Sequence, residues 1–496
     1  MQRTPTATVE CQNSRNLLVR NHLNPAAWHG HQELLFSRVV DLERARFSYR
    51  LTPKAYLVVE WRKTVDGFTG LRLSRNPDFP SLIFRADREG RFLEQRPLDT
   101  PQDRSWHRCL VRAGAAQIDD QPEVAAPEVA PGPGLFGLRG SLQPSQVDDL
   151  ELWEGGQRIL VDRFDNAANY GRMALAMGLV LLGGTVGVLV LARRDRLLWA
   201  FLANLATGLA LLVFWAVDYL WYSPLYSYYE PSEDVRRRVV QALWGRIDPI
   251  PPPDLQTVPR FLQIPQGPRP SYTCLQLHLP DGTSTVINDT PEEIETYRNQ
   301  HPKPAQTVLF LGTSQTWGEG AALLEDGMTW RAAALLPGVE VVNAARQGSN
   351  SPELAQRYEN YLNRFQPDLI VVNLGHNDGR EMLEGGLERI ASWKVPLLFV
   401  LEGNSPENPP EARPFLNQKH AVMRSVAQKH GIPLIDLHEH LRGQANTGLL
   451  WWDFVHPTSY GHRLAGEFLG QAVKERLQAG HQQEHPGKRQ GKQGAQ

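Results

Sequence analysis

The chain has 496 residues, with 52 Lys and Arg against 54 Asp and Glu and a net charge of −2. That length exceeds a single hydrophobic core, so two or three domains are expected. The near-neutral balance argues against a nucleic-acid partner. The three cysteines, Cys11, Cys109 and Cys274, contain no C-x-x-C pair and argue against a disulfide framework or a zinc site.

Residues 1–30 are polar and are expected to be disordered. Residues 31–165 read as short alternating strands broken by turns: FSYRLT (47–52), YLVVEW (56–61), GLRLSR (70–75), SLIFRA (81–86), WHRCLVR (106–112) and DLELWE (149–154). Strands of this length and spacing predict a β-sandwich of the jelly-roll kind.

Two uncharged runs follow, Met173–Ala192 and Leu197–Val217. Each is long enough to cross a hydrocarbon layer of roughly 30 Å at about 1.5 Å per residue. Only Arg193, Arg194, Asp195 and Arg196 separate them, so a transmembrane helical hairpin is expected over 172–222. Trp215, Tyr219, Trp221, Tyr222, Tyr226, Tyr228 and Tyr229 cluster at its far end like an interfacial belt. Three arginines in the turn favour a cytoplasmic turn, which would leave both large domains on the extracytoplasmic side. Arg172 and Arg236–Arg238 weigh against this, and the first 30 residues contain no apolar signal segment. Either the true start lies upstream or the orientation is reversed.

Residues 223–304 form a proline-rich connector, with IPPPD (250–254) and IPQGPRP (264–270) extended. Within it, YTCLQLHLPDGTSTVIND (272–289) predicts a hairpin and TPEEIETYRNQ (290–300) a capped helix with Pro291 at its first position. From 305 to 477 apolar strands alternate with helical stretches. The strands are TVLFLG (307–312), VEVVNA (339–344), PDLIVVNLG (367–375), VPLLFVLE (395–402) and IPLIDL (432–437). Strands apolar from end to end, separated by helices, predict a parallel sheet covered on both faces. Residues 478–496, rich in Gln, Gly, His and Lys, are expected to be a disordered tail.

In such sheets, sites form at the carboxyl ends of the strands. There the sequence places GTSQTWGEG (312–320), then NAARQGS (343–349), then GHND (375–378), and finally WDFVHP (452–457). Each block alone is weak, since a serine beside glycine is usually just a turn. Together, and in this order, they supply the parts of an acyl-transfer site. Ser314 is the candidate nucleophile, and a serine hydroxyl needs a base within hydrogen-bond reach. His456 can be that base, and Asp453 can accept its other ring N–H. The N–H of Ser314, the N–H of Gly348 and the side-chain amide of Asn377 are candidate oxyanion donors. His376 is read as a neighbour of the site. His438, His440 and His462 are read as surface histidines. Trp451 and Trp452 either line a pocket or pack.

These four blocks resemble those of the SGNH/GDSL hydrolase family. GTSQTWGEG corresponds to the block with the serine, ARQGSNS to the glycine block, GHND to the asparagine block and DFVHP to the block with aspartate and histidine. The resemblance covers roughly 305–475. It implies a flavodoxin-like α/β/α sandwich, ester hydrolysis and no metal or other cofactor. Thr313 stands where many members carry Asp, and Gln315 where Leu is common. A second, looser resemblance covers the N-terminal strands. PGLFGLRG (133–140), VDDLELWE (147–154) and SWHRCLVRAGAAQIDD (105–120) are similar to concanavalin A-like (laminin G-like) sandwiches, which implies either glycan binding or a spacer.

The expected fold class is therefore multidomain: an N-terminal all-β sandwich, a two-helix transmembrane hairpin and a C-terminal α/β/α hydrolase domain. The expected function is a membrane-anchored serine esterase acting on an acylated glycan or lipid. The alternatives are an O-acyltransferase using the same site, and a glycan-binding surface protein with an inactive hydrolase domain. No nucleic-acid partner is expected.

Overall fold

The computed structural model describes residues 7–9, 33–36, 40–63, 67–127, 134–140, 145–162, 226–228, 260–263, 274–278, 284–288, 290–301, 304–321, 324–406, 413–451 and 455–484. The chain divides into two compact units. The first comprises residues 1–88, 93–230 and 238–247, and the second comprises 248–496 with 89–92 and 231–237.

The first unit is built from two sheets. One runs in the order Ala7–Val9, Ser145–Glu154, Arg44–Leu51, His107–Arg112, Ala115–Ile118 and Val124–Ala125, with Gln157–Asp162 also paired to Ser145–Glu154. The other runs Tyr226–Tyr228, Glu33–Phe36, Leu135–Gly140, Tyr56–Lys63, Gly67–Ser74, Leu82–Asp87 and Phe92–Pro97. Alternation in the sequence decides which side chains meet. Phe47, Tyr49 and Leu51 of one sheet, and Leu57, Val59 and Trp61 of the other, enter one shared core. Period-2 patterning puts every second residue on the same face, so each strand supplies a row of contacts to that core.

The strands of the second unit are β1 (Arg260–Gln263), β2 (Cys274–His278), β3 (Ser284–Asn288), β4 (Gln306–Gly312), β5 (Val339–Asn343), β6 (Leu369–Leu374), β7 (Leu397–Leu401) and β8 (Leu434–Asp436). Their order across the sheet is β3-β2-β1-β5-β4-β6-β7-β8. The five central and distal strands β5, β4, β6, β7 and β8 are parallel. Counted from β4, they follow the 2-1-3-4-5 order of doubly wound flavodoxin-like sheets. The residues of β5, β6 and β7 are buried throughout.

Both faces are covered by helices. On one lie α1 (Pro291–Gln300), α4 (Ser351–Phe365), α5 (Arg380–Ala391) and α6 (Arg413–His430), and on the other lie α3 (Met328–Ala334), α7 (Leu437–Gly443) and α8 (Ser459–Glu484). The short α2 (Ser314–Trp317) follows β4 directly.

The edge beyond β5 is made by residues of the proline-rich region. β1 pairs parallel with β5, and the hairpin β2–β3 extends it antiparallel. A buried ion cluster fixes this edge. Glu340 on β5, fully buried, accepts from the Tyr297 hydroxyl at 2.6 Å and faces Arg260 at 2.9 Å and Arg298 at 2.7 Å.

The membrane hairpin expected over 172–222 is not supported, and the membrane localisation drawn from it falls with it. Among the described residues, no helix is long and apolar enough to cross a membrane. The hairpin segment itself lies outside them. The helices that are described need only an apolar stripe against the sheet. The longest, α8, spans 26 residues and carries Glu467, Lys474, Glu475 and Arg476 on its wet side.

Candidate active site

β4 ends in a tight turn that runs straight into α2, so Ser314 begins a helix at the carboxyl edge of the sheet. β6, its neighbour in the sheet, ends just before Asn377. In the 2-1-3-4-5 order, the chain reverses direction across the sheet between these two strands. That crevice is where ligands bind in open α/β folds.

His456 arrives from the opposite end of the sequence, in the loop between α7 and α8. Thr458 N–H donates to Leu450 O at 2.8 Å, and Trp451 bridges to Pro457, so the loop is closed at its base. The imidazole Nε2 of His456 lies 2.8 Å from Ser314 Oγ, although 142 positions separate the two residues. Gly320 sets how closely the serine loop approaches this segment. Its φ is +91°, and a Cβ there would collide with the Pro457 carbonyl oxygen. Asp453, the expected orienting carboxylate, lies outside the described residues, as does Trp452.

Gly348 follows β5 with φ +69°, a left-handed conformation that glycine adopts without strain. Asn377 Nδ2 donates to Ser349 O at 3.0 Å. An amide nitrogen has two hydrogens, so this bond orients the side chain and leaves the second donor for another partner. The adjacent Asp378 locks the glycine and asparagine loops together. Its Oδ1 accepts from both the N–H and the hydroxyl of Ser351, each at 2.8 Å. Burial raises the Asp378 pKa, and the two Ser351 bonds oppose the rise.

The two residues that depart from the usual serine block both make buried contacts. Gln315 Nε2 donates to Gly403 O at 2.7 Å and to Val455 O at 2.5 Å, next to His456. Thr313 Oγ1 donates to Glu402 Oε1 at 3.0 Å. Glu402, just past the end of β7, also accepts the His376 N–H on Oε2 at 2.6 Å. Burial pushes its carboxyl up to about 7, against the opposing pull of those two hydrogen bonds.

His376 lies behind the site. Burial depresses its pKa to about 3, so the ring is neutral, with Nε2 2.9 Å from Gly403 O. Lys419 Nζ donates to the His376 carbonyl at 2.8 Å.

Not every histidine lies where the sequence suggested. His462 is fully buried, with Nδ1 accepting from Met328 N–H at 3.3 Å and Nε2 lying 2.8 Å from Glu319 O. It fastens α8 to the serine loop and is not at the surface. His440 stacks on Phe468 with ring centroids 4.2 Å apart, and His438 Nδ1 accepts from Asn404 N–H. Trp451 is buried in the core on that face of the sheet. Among the described residues, no group of three or more His, Cys, Asp or Glu side chains could hold a metal ion.

The four sequence blocks do not include Glu402, and they show Gln315 only as a departure from the usual Leu. One signal was present. VPLLFVLE ends a wholly apolar strand with a carboxylate, at the sheet edge where sites form.

A doubly wound domain with a serine hydroxyl against an imidazole at its switch point is the frame of an ester-acting hydrolase, and this chain is one. Residues 310–464 match the GDSL-like Lipase/Acylhydrolase family, so the domain in that span is of this kind. The match does not extend to the N-terminal sheets.

Among solved structures, the chain is similar to a member of the lipolytic protein G-D-S-L family from Veillonella parvula DSM 2008. Identity is 20%, covering 35% of this chain and 100% of that one, with a TM-score of 0.32. It is similar to a lipase/acylhydrolase from Enterococcus faecalis at 22% identity, covering 34% and 96%, with a TM-score of 0.30. It is also similar to an acetylxylan esterase from Geobacillus stearothermophilus at 18% identity, covering 33% and 92%, with a TM-score of 0.29. No curated protein matches the chain.

Proposed function

We propose that the chain hydrolyses an ester of a carbohydrate or lipid alcohol through an acyl-serine intermediate on Ser314. The observation that supports this most is the 2.8 Å approach of His456 Nε2 to Ser314 Oγ. Ser314 Oγ attacks the acyl carbonyl while His456 takes the hydroxyl proton. The carbonyl oxygen becomes an oxyanion, met by the N–H groups of Ser314 and Gly348 and by the free amide hydrogen of Asn377. Loss of one such donor typically costs about 10²–10³ in rate.

Collapse of this intermediate breaks the bond to the leaving alcohol, which takes the proton from His456. Water, deprotonated by the same imidazole, then attacks the acyl-serine; the acid is released as His456 returns the proton to Ser314 Oγ. In this reading Asp453 accepts the Nδ1–H of His456 and holds the ring in the right tautomer. No metal enters any step.

The test is turnover of short-chain aryl esters, acetylated polysaccharide and glycerolipid, together with labelling by a fluorophosphonate. Peptide mapping of the adduct is expected to place it on Ser314, and S314A is expected to lose both labelling and turnover. Full turnover by S314A would end the assignment.

A further inference from the structure

Glu402 is a buried ionisable group at the site that the chemistry above does not use. Both side-chain oxygens of Glu402 are engaged, and on loops that carry different parts of the proposed site. Oε1 receives the hydroxyl of Thr313, 89 positions away and immediately before the nucleophile. Oε2 receives the backbone N–H of His376, 26 positions away and immediately before Asn377. Glu402 is 1% exposed, so water does not compete for either bond. The next residue continues the pattern, since Gly403 O accepts from Gln315, on the other side of the nucleophile, and lies against His376 Nε2. His420 approaches the Glu402 carbonyl from α6 at 3.2 Å, so the strand end is itself held from behind.

We propose that Glu402 is a positioning residue of the acyl-transfer site, setting the separation of the nucleophile loop from the oxyanion loop. This rests on the reading of Ser314 and Asn377 given above. The physical reason is geometric. The oxyanion must meet the Ser314 N–H and the Asn377 amide at once, and these donors sit on loops that follow different strands. Neighbouring strands fix the loop bases, but nothing in the strand pairing fixes the turns beyond them. A carboxylate with one loop on each oxygen does. The threonine in place of the more usual aspartate becomes intelligible. A second carboxylate at 313 would face Glu402, whereas a hydroxyl can donate to it.

The test is steady-state hydrolysis of an aryl acetate by the full chain. E402A is expected to lower kcat about 100-fold with KM within about threefold, since a displacement of about 1 Å can cost that much in rate without touching substrate binding. E402Q is expected to recover to within about tenfold of wild type. Its carbonyl can accept from His376 N–H while its amide donates to Thr313 Oγ1. T313V, which removes one of the two anchors at constant volume, is expected to lower kcat about tenfold in the wild-type background. It should have little further effect in E402A, since coupled partners are non-additive.

A folded E402A with kcat within about threefold of wild type, alongside an inactive S314A, would overturn this role and leave the nucleophile standing. E402Q as impaired as E402A would also overturn it. If E402A does not fold, T313V decides, and an unchanged kcat in that variant refutes the proposal. An active S314A would refute the underlying hydrolase reading, whatever Glu402 does.

Discussion

Gln315→Leu restores the residue common at this place in the serine block, and the structure predicts that it harms this protein. Gln315 is fully buried, and both hydrogens of its amide are used: one on Gly403 O at 2.7 Å, one on Val455 O at 2.5 Å. Leucine has similar bulk but no donor. Two buried hydrogen bonds at about 0.5–1.5 kcal/mol each give a loss of about 1–3 kcal/mol. The amide carbonyl makes no hydrogen bond among the described residues, so its removal moves the total towards the lower end. With a urea m-value of about 1–3 kcal/mol per molar, the unfolding midpoint should fall by roughly 1 M.

The catalytic effect is separate. Val455 precedes His456, so the amide tethers the residue next to the proposed base to the residue next to the proposed nucleophile. Losing the tether lets the imidazole leave its 2.8 Å contact with Ser314. A fall in kcat of about 10- to 100-fold is expected, with KM little changed. Urea unfolding and aryl-ester kinetics on the same preparation measure both. Wild-type stability together with wild-type kcat in Q315L would show that this amide does not hold the imidazole in place.

Three further outcomes follow from the geometry. Gly320→Ala must adopt φ +91° and push against the Pro457 carbonyl, so it should cost about 1–2 kcal/mol or more and lower kcat by displacing the His456 loop; an unchanged kcat would contradict the packing described. Glu340→Ala leaves Arg260 and Arg298 facing each other without their shared carboxylate, and should destabilise the second unit by about 3–5 kcal/mol in a thermal or urea melt. Burial depresses the His420 pKa to about 4, so the folded protein keeps the ring neutral while the unfolded chain protonates it near 6.5. The stability it contributes is present above pH 6.5 and lost as pH falls towards 4, by about 1.4 kcal/mol per pH unit. H420Q should flatten the dependence of unfolding free energy on pH by that amount between pH 4.5 and 6.5, and an unaltered slope would contradict a neutral buried ring.

The carboxyl of Glu402 works in the opposite sense. Raised to about 7, it favours the folded state at lower pH and loses that contribution as pH climbs from about 4.5 to 7. The two groups partly offset each other in the wild type, so the H420Q difference is more informative than the absolute profile.

Apolar periodicity determined a good deal by itself. The five strands from TVLFLG to IPLIDL were legible because a strand covered on both faces has no polar alternation, and the order of strand-end blocks pointed to Ser314, Asn377 and His456. The same signal misled at 172–222, because a window of hydropathy measures apolar length alone. The hairpin YTCLQLHLPDGTSTVIND was legible as a hairpin, but not as the edge of the hydrolase sheet. Its pairing to β1 spans only 13 to 17 positions, but that of β1 to β5 joins partners 80 positions apart.

Only the tertiary structure decided which side chains meet. His462 reads as a polar residue early in a helix, and folding buries it against Met328 and Glu319. Thr313 and Gln315 read only as departures from the serine block, yet each grips a strand end or loop 88 to 140 positions away. Periodicity and turn chemistry are local properties of a chain, whereas a hydrogen bond between distant loops depends on the full set of strand pairings that brings them together.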